Sequence, residues 1–194
     1  MTTASAGPED SSKLDRRVRK TRVAIRAAVA RLLARNGLEA ITIKDIAEEA
    51  DIGYTTYFRH FASKEAALAD LADSVAAELL GHTLPLLASA DSRQSCLVLC
   101  RHVAGNRVVW EALLSGGAAG YVRSALAANT AARVQEWPTV QSWIPAVSGT
   151  FLATGLVVET LTWWLTHAPE LSPEAVAEIM DRTFISALVG SQAK

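Results

Sequence analysis

The sequence predicts an all-α protein made of a three-helix N-terminal unit, residues 13–62, and a larger helical domain, residues 63–194. Three observations carry that prediction. Apolar residues recur at helical spacing, and no segment shows the strict alternation of a half-buried strand or an internal repeat. The stretch Thr42 to Lys64, TIKDIAEEADIGYTTYFRHFASK, reads as two short helices joined by a tight turn, with a basic helix in front of it. The charge is also unevenly placed: the chain sums to −1, yet Lys13 to Lys64 holds twelve Lys or Arg against six Asp or Glu, and residues 65–194 hold seven against twelve. The first third is built to meet an anion.

Taken in order, residues 1–12 are rich in Ser, Thr, Ala, Gly and Pro without apolar period, so a disordered tail is expected. A long helix then starts near Leu14. Val18, Ile25, Val29, Leu32 and Leu33 form its inward stripe, Arg16, Arg17, Arg19, Lys20 and Arg22 crowd its beginning, and Asn36 with Gly37 stops it. Arg26, Arg31 and Arg35 lie further along and read as solvent-facing charges. Thr42, followed three residues later by Asp45, is a capping-box start, and Ile43, Ile46, Ala47 and Ala50 give the next helix one apolar face. Asp51, Ile52 and Gly53 supply a turn: a residue type that tolerates a left-handed backbone, a buried anchor and a hinge. The third helix opens with Tyr54, Thr55 and Thr56, and Phe58 and Phe61 are expected to pack.

Ser63 is placed to cap a fourth helix running to about residue 80, with Glu65 suited to its first-turn dipole, and Pro85 then breaks the pattern. Further helices are expected at about 92–104, 107–114, 121–137, 148–167 and 173–189. The last opens with Ser172 as cap, Pro173 at its favoured first-turn position and Glu174.

A short helix, a tight turn and a second helix with a polar start form the pattern of a DNA reader. At these residues the sequence resembles the TetR family of bacterial transcriptional regulators, through T-x-x-x-I-A-x-x-A-x-I at Thr42 to Ile52 and T-Y-F-R-H-F-A-S-K-E-A at Thr56 to Ala66. With the preceding helix, the resemblance covers roughly Arg16 to Leu80. It implies a homodimer on a partly palindromic double-stranded operator, an effector cavity in the second domain, and most often repression. Two departures stand out. Asp51 takes a turn position where the family usually has Gly, and the order Tyr57 then Phe58 displaces a phosphate-contacting phenol to Tyr57 or abolishes it.

The base-facing residues expected are Gly53, Tyr54, Thr55 and Thr56, since a Thr hydroxyl and methyl each find partners on base edges. Matching family positions and donor chemistry make Thr42, Lys44, Tyr57, His60 and Lys64 phosphate candidates, joined by Arg17 at the basic start of the first helix. Thr42 also serves as a cap, and His60 reads equally as a surface imidazole. Useful specificity calls for two copies on adjacent half-sites. Wide, mainly apolar stripes on the last two helices suit a four-helix dimer bundle: Phe151, Leu152, Gly155, Leu156 and Val158 on one, and Val176, Ile179, Met180, Thr183, Phe184, Ala187 and Leu188 on the other.

For a small, largely hydrophobic effector the candidate lining is Trp110, Tyr121, Asn129, Thr154, Glu159 and Trp163. Trp137 and Trp143 complete the five tryptophans with Trp110, Trp163 and Trp164. Neighbouring Trp163 and Trp164 point about 100° apart, so both cannot enter one core region. Glu159, if buried, needs a partner such as Arg133 or His167. Cys96 and Cys100 lie one turn apart and admit a redox or metal-sensor reading, although His102 points to another face and zinc needs more ligands. Small buried cysteines are the simpler account.

Other classes are disfavoured. No nucleophile with a spaced base, phosphate-cradling loop or paired metal motif appears, so neither enzyme activity, a cofactor nor a metal is expected. No run reaches the roughly 18 apolar residues of a membrane span, and the first residues lack a secretory signal's pattern, so a cytoplasmic location is expected. Two alternatives stay open: a DNA-binding protein without a small-molecule effector, architectural or controlled by a protein partner, and a redox or metal sensor using Cys96 and Cys100.

Overall fold

The protein, seen as a computed structural model, is described over residues 8–88, 91–133 and 145–185, with side chains from residue 16 onward except those of 84–88 and 146. The described residues are helical with no strand. Helix α1 (Pro8–Asn36) begins within the segment expected to be a disordered tail, and Gly37 ends it at φ 72°. Helices α2 (Ile43–Glu49) and α3 (Tyr54–Phe58) follow. The link helix α4 (Lys64–Ala88) continues past Pro85 rather than stopping near residue 80. Its 25 residues span about 37 Å at the α-helical rise. Then come α5 (Ser92–Ala104), α6 (Arg107–Leu114), α7 (Ala119–Arg133), α8 (Ala146–His167) and α9 (Pro173–Met180), the last continued by a π-helical turn over Asp181–Ile185. Trp137, Trp143, Ala187 and Leu188 lie outside the described residues.

Local sequence explains the ends. Asp91 caps α5 by accepting from the Gln94 amide, and Ser172 caps α9 from the Ala175 amide with Pro173 in its first turn. The core is continuous from one unit to the other. Ile25, Val29, Leu32 and Leu33 of α1 pack with Ile41, Ile46, Tyr57 and Leu68, while α4 carries the same cluster on through Leu79 and Leu80 to Leu99, Val103 and Val157. Val18, expected inside, is exposed because the packed part of α1 starts about two turns later, at Ile25.

Polar ties fix the joints. Arg22 and Arg26 of α1, of which Arg26 was expected to face solvent, both bind the Asp70 carboxylate on α4, and Arg22 also lies over the Phe61 ring at 5.3 Å. Arg31 and Arg35 hold Glu49 of α2 in the same way. Arg107 donates to the carbonyls of Trp164 and Leu165 at 2.9 and 3.2 Å, joining α6 to α8. α6 and the turn after it rest on the first unit: α6 packs on α1, and a Cβ at Gly117 would lie 2.9 Å from that of Leu38.

Asp70 tests the α1–α4 joint. Burial alone would raise its pKa, but the bonds from Arg26 and Arg22 outweigh it and hold the carboxyl below its ordinary value. A depressed folded-state pKa means stability that is present above the unfolded value and is lost as pH falls through the folded one. Asp70→Asn should therefore cost roughly 1–2 kcal/mol at pH 7, discounted because both arginines are partly solvated. In thermal melts the wild-type advantage should fade as pH drops below about 4. An equal difference at pH 7 and pH 3 would refute the ionic account.

Candidate nucleic-acid interface and effector domain

The reading unit is built by local chemistry. Thr42 and Asp45 form the full capping box: the Asp45 amide donates to the Thr42 hydroxyl, and the Thr42 amide donates to the Asp45 carboxylate at 2.8 Å. The hydroxyl itself donates to the same carboxylate at 2.6 Å, so its capping role is filled. Asp51 takes φ 54°, the left-handed conformation the turn requires, and the Ile52 amide closes it on the Ala47 carbonyl at 3.0 Å. Gly53 is the extended N-cap of α3. The start of α3 then stands outward, with Tyr54 and Thr55 exposed and Thr56 half-buried.

The two adjacent aromatics are exchanged relative to the expectation. Phe58 does not pack inside; it is 44% exposed and meets Tyr54 edge-on at 5.1 Å, so the outward face carries an apolar ring that the sequence reading missed. Tyr57 is fully buried, its phenol donates to the Ser63 carbonyl at 2.8 Å, and burial pushes its pKa to about 12. A buried, engaged phenol cannot reach a phosphate, so Tyr57 belongs to the core. Lys64 is corrected in the same sense: its ammonium donates to the carbonyls of Leu38 and Ile41 at 3.2 and 3.1 Å, tying the α1–α2 corner to the start of α4. Arg17 and Lys44 are exposed, as is Arg59, and His60 is half-buried beside them in sequence. Lys44 has only a loose neighbour, Glu48 at 3.8 Å.

The six effector candidates do not converge. Thr154 and Glu159 line one cavity of about 190 Å³ between α7 and α8, with Leu126, Thr130, Phe151 and Val158. Tyr121 lines a separate, more open cleft between α4 and α7 beside Asp73. Asn129 bonds its own helix at the Ala125 carbonyl and reaches Asp73 at 3.5 Å. Trp110 is buried in the core, and Trp163 is exposed while Trp164 is buried. Glu159 needs no rescue from burial: it is exposed and pairs with Arg123 at 3.1 Å, not with Arg133 or His167. Of these groups only the Thr154 hydroxyl is buried without a hydrogen-bond partner, and it borders the α7–α8 cavity.

Cys96 and Cys100 are buried, free thiols, with Cys100 Sγ 4.0 Å from Met180 Sδ. Burial pushes both to about 12, which keeps them protonated and poorly reactive. The α8 surface is different in kind. Val147, Phe151, Leu152, Leu156 and Trp163 all lie outward on it. No helix among the described residues is long and apolar enough to cross a membrane.

Comparison with known proteins places this geometry. Residues 25–71 match the family described as bacterial regulatory proteins, tetR family. Among solved structures the chain is similar to NalD of Pseudomonas aeruginosa, the secondary repressor of the MexAB-OprM multidrug efflux pump, with 17% identity over 91% of this chain and 99% of that one and a TM-score of 0.63. It is similar to a TetR transcriptional regulator from Streptococcus agalactiae, with 25% identity over 88% and 96% and a TM-score of 0.55. FadR of Bacillus subtilis, solved in complex with stearoyl-CoA, gives 15% identity over 86% and 98% and a TM-score of 0.60. No curated protein matches in sequence.

Proposed function

On the premise that this chain is a TetR-family transcriptional regulator with its helix-turn-helix DNA-binding domain over residues 25–71, we propose that it is a repressor. It acts in the cytoplasm as a homodimer on a partly palindromic operator and is released by a small, largely hydrophobic effector. The observation that carries the reading is the start of α3, where the capping box, the left-handed Asp51 and the buried Tyr57 hold Tyr54 and Thr55 outward on a rigid support. Tyr54, Thr55 and Thr56 then face base edges, and Arg17, Lys44 and His60 are the phosphate contacts. The basic balance of this unit supports the same surface.

The effector would enter the α7–α8 cavity, where the unpartnered Thr154 hydroxyl offers one polar contact among apolar walls. Phe151, Gly155 and Glu159 line that cavity on the helix proposed to pair with a second subunit. Binding there is thus placed to alter how the two subunits meet, and it weakens operator binding only by its differential affinity for the two arrangements. A regulator without an effector is the second reading, favoured by the burial of Trp110 and Trp164 in the domain's own core.

Fluorescence anisotropy against DNA from just upstream of the gene, beside a scrambled duplex and at two salt concentrations, tests the proposal. Wild type should prefer the upstream DNA by about 10³-fold or more. Thr55→Ala should cost roughly 1–3 kcal/mol per half-site on the operator alone, whereas Lys44→Ala should weaken both duplexes alike and flatten the salt dependence. Equal binding to the two duplexes by wild type would favour an architectural role, and no binding at either salt would overturn the reading of α2 and α3.

A further inference from the structure

We infer that Glu78, His82 and His102 form a binding site for one divalent transition-metal ion of the zinc class. Glu78 and His82 sit one turn apart on α4 and so share a face. His102 reaches them from α5, which packs along α4. One ligand atom from each of the three lies within 4.8 Å of the others. Among the described residues this is the one such group of three or more His, Cys, Asp or Glu.

An ordinary ion pair accounts for only part of the arrangement. His102 Nε2 lies 2.6 Å from Glu78 Oε1, which satisfies those two. His82 is left beside another imidazole, with ring centroids 4.7 Å apart and planes tilted by 34°. Two protonated rings at that spacing repel, whereas two neutral rings each have a nitrogen lone pair to offer a metal ion. A neutral imidazole is the form that ligates. The edge of the buried Trp110, 5.7 Å from His102, walls one side.

The donor set selects the ion. Two imidazole nitrogens and one carboxylate oxygen suit zinc and its first-row neighbours, in contrast to the all-oxygen sets of magnesium and calcium. Metal bonds of about 2.0–2.2 Å in a tetrahedron place ligand atoms roughly 3.3 Å apart, so small side-chain rotations close the triad. A fourth position stays open to water or a small anion. His102 thus serves α4 and not Cys96 and Cys100, six and two residues before it, and the inference is independent of the regulatory reading.

Full-length protein without an affinity tag, stripped with a chelator, should be titrated with Co(II) and then with Zn(II) in competition with a chromogenic chelator. The expected result is one equivalent per chain, weak visible bands of a four-coordinate nitrogen–oxygen site, displacement by zinc, and a higher melting temperature with zinc bound. His82→Ala and His102→Gln should each weaken binding by at least about tenfold, since even loss of an outer-shell partner costs that much. Glu78→Gln, which keeps shape and hydrogen bonding, should weaken it too. Variants of His60 and His167, the other two histidines, and the Cys96→Ser/Cys100→Ser double variant should bind like wild type. Circular dichroism establishes that each variant is folded. The inference is overturned by no stoichiometric binding in folded wild type, by unchanged affinity in His82→Ala and His102→Gln, or by a thiolate charge-transfer band that vanishes with the cysteines.

Discussion

Phe151→Glu together with Leu156→Glu is expected to convert the proposed homodimer to monomers and to reduce affinity for the proposed operator by about 10³-fold or more. The two side chains are 59% and 41% exposed on α8, where Val147, Leu152 and Trp163 are exposed as well. Fully burying a Phe or Leu side chain is worth about 1.5–3 kcal/mol. A two-fold interface counts each residue twice, and about half of each side chain is still in water, so the pair contributes roughly 3–6 kcal/mol. Four carboxylates at the centre of the contact then add repulsion that a bundle interior cannot solvate. Both positions face solvent in the single chain, so helical content should hold. Sedimentation velocity and anisotropy on the same samples decide the matter: a variant that stays dimeric with wild-type operator affinity removes α8 from the interface.

Trp164→Ala should bring the largest loss of stability, about 3–5 kcal/mol, or roughly 6–20 °C in melting temperature for a chain of this size. Its side chain is among the largest fully buried, the indole N–H donates to the Leu171 carbonyl at 2.9 Å, and the Arg107 guanidinium lies 5.1 Å from the ring centre. Truncation leaves a cavity, an orphaned carbonyl and a cation without its ring. Trp164→Phe keeps an aromatic filling and loses the hydrogen bond, so it should cost clearly less. Thermal melts of the three proteins that coincide within about 2 °C would show that this core position is not a keystone of the second domain.

Comparing expectation with structure separates what is local from what is not. The Thr42–Asp45 box, the left-handed Asp51 and the Ser172–Pro173 start were legible, because each depends on residues within four positions of one another. The orientation of neighbouring aromatics was not. Tyr57 with Phe58, and Trp163 with Trp164, each pose a choice between faces about 100° apart, and hydrophobicity does not make it. The choice falls to partners beyond the helix itself, the Ser63 carbonyl for Tyr57 and the Leu171 carbonyl for Trp164. Glu78 and His82 fall one turn apart on α4, but nothing in the sequence marks His102 as their neighbour. Asp70 drawing in Arg22 and Arg26 is hidden for the same reason, since the pairing spans more than forty residues. Of the effector candidates, only Thr154 and Glu159 share a cavity, because residue type alone does not say which face of a helix a side chain occupies.

The close approach of Gly117 to Leu38 sets a rule for building hybrids. A chimera that joins another protein's reading unit to this chain's second domain brings a foreign α1–α2 corner against the turn between α6 and α7. That turn offers it no side chain to trim and no slack to absorb a larger residue. The donor corner must present something no bulkier than leucine opposite Gly117, and a glycine must be kept at 117 even when every other surface residue of the turn is exchanged.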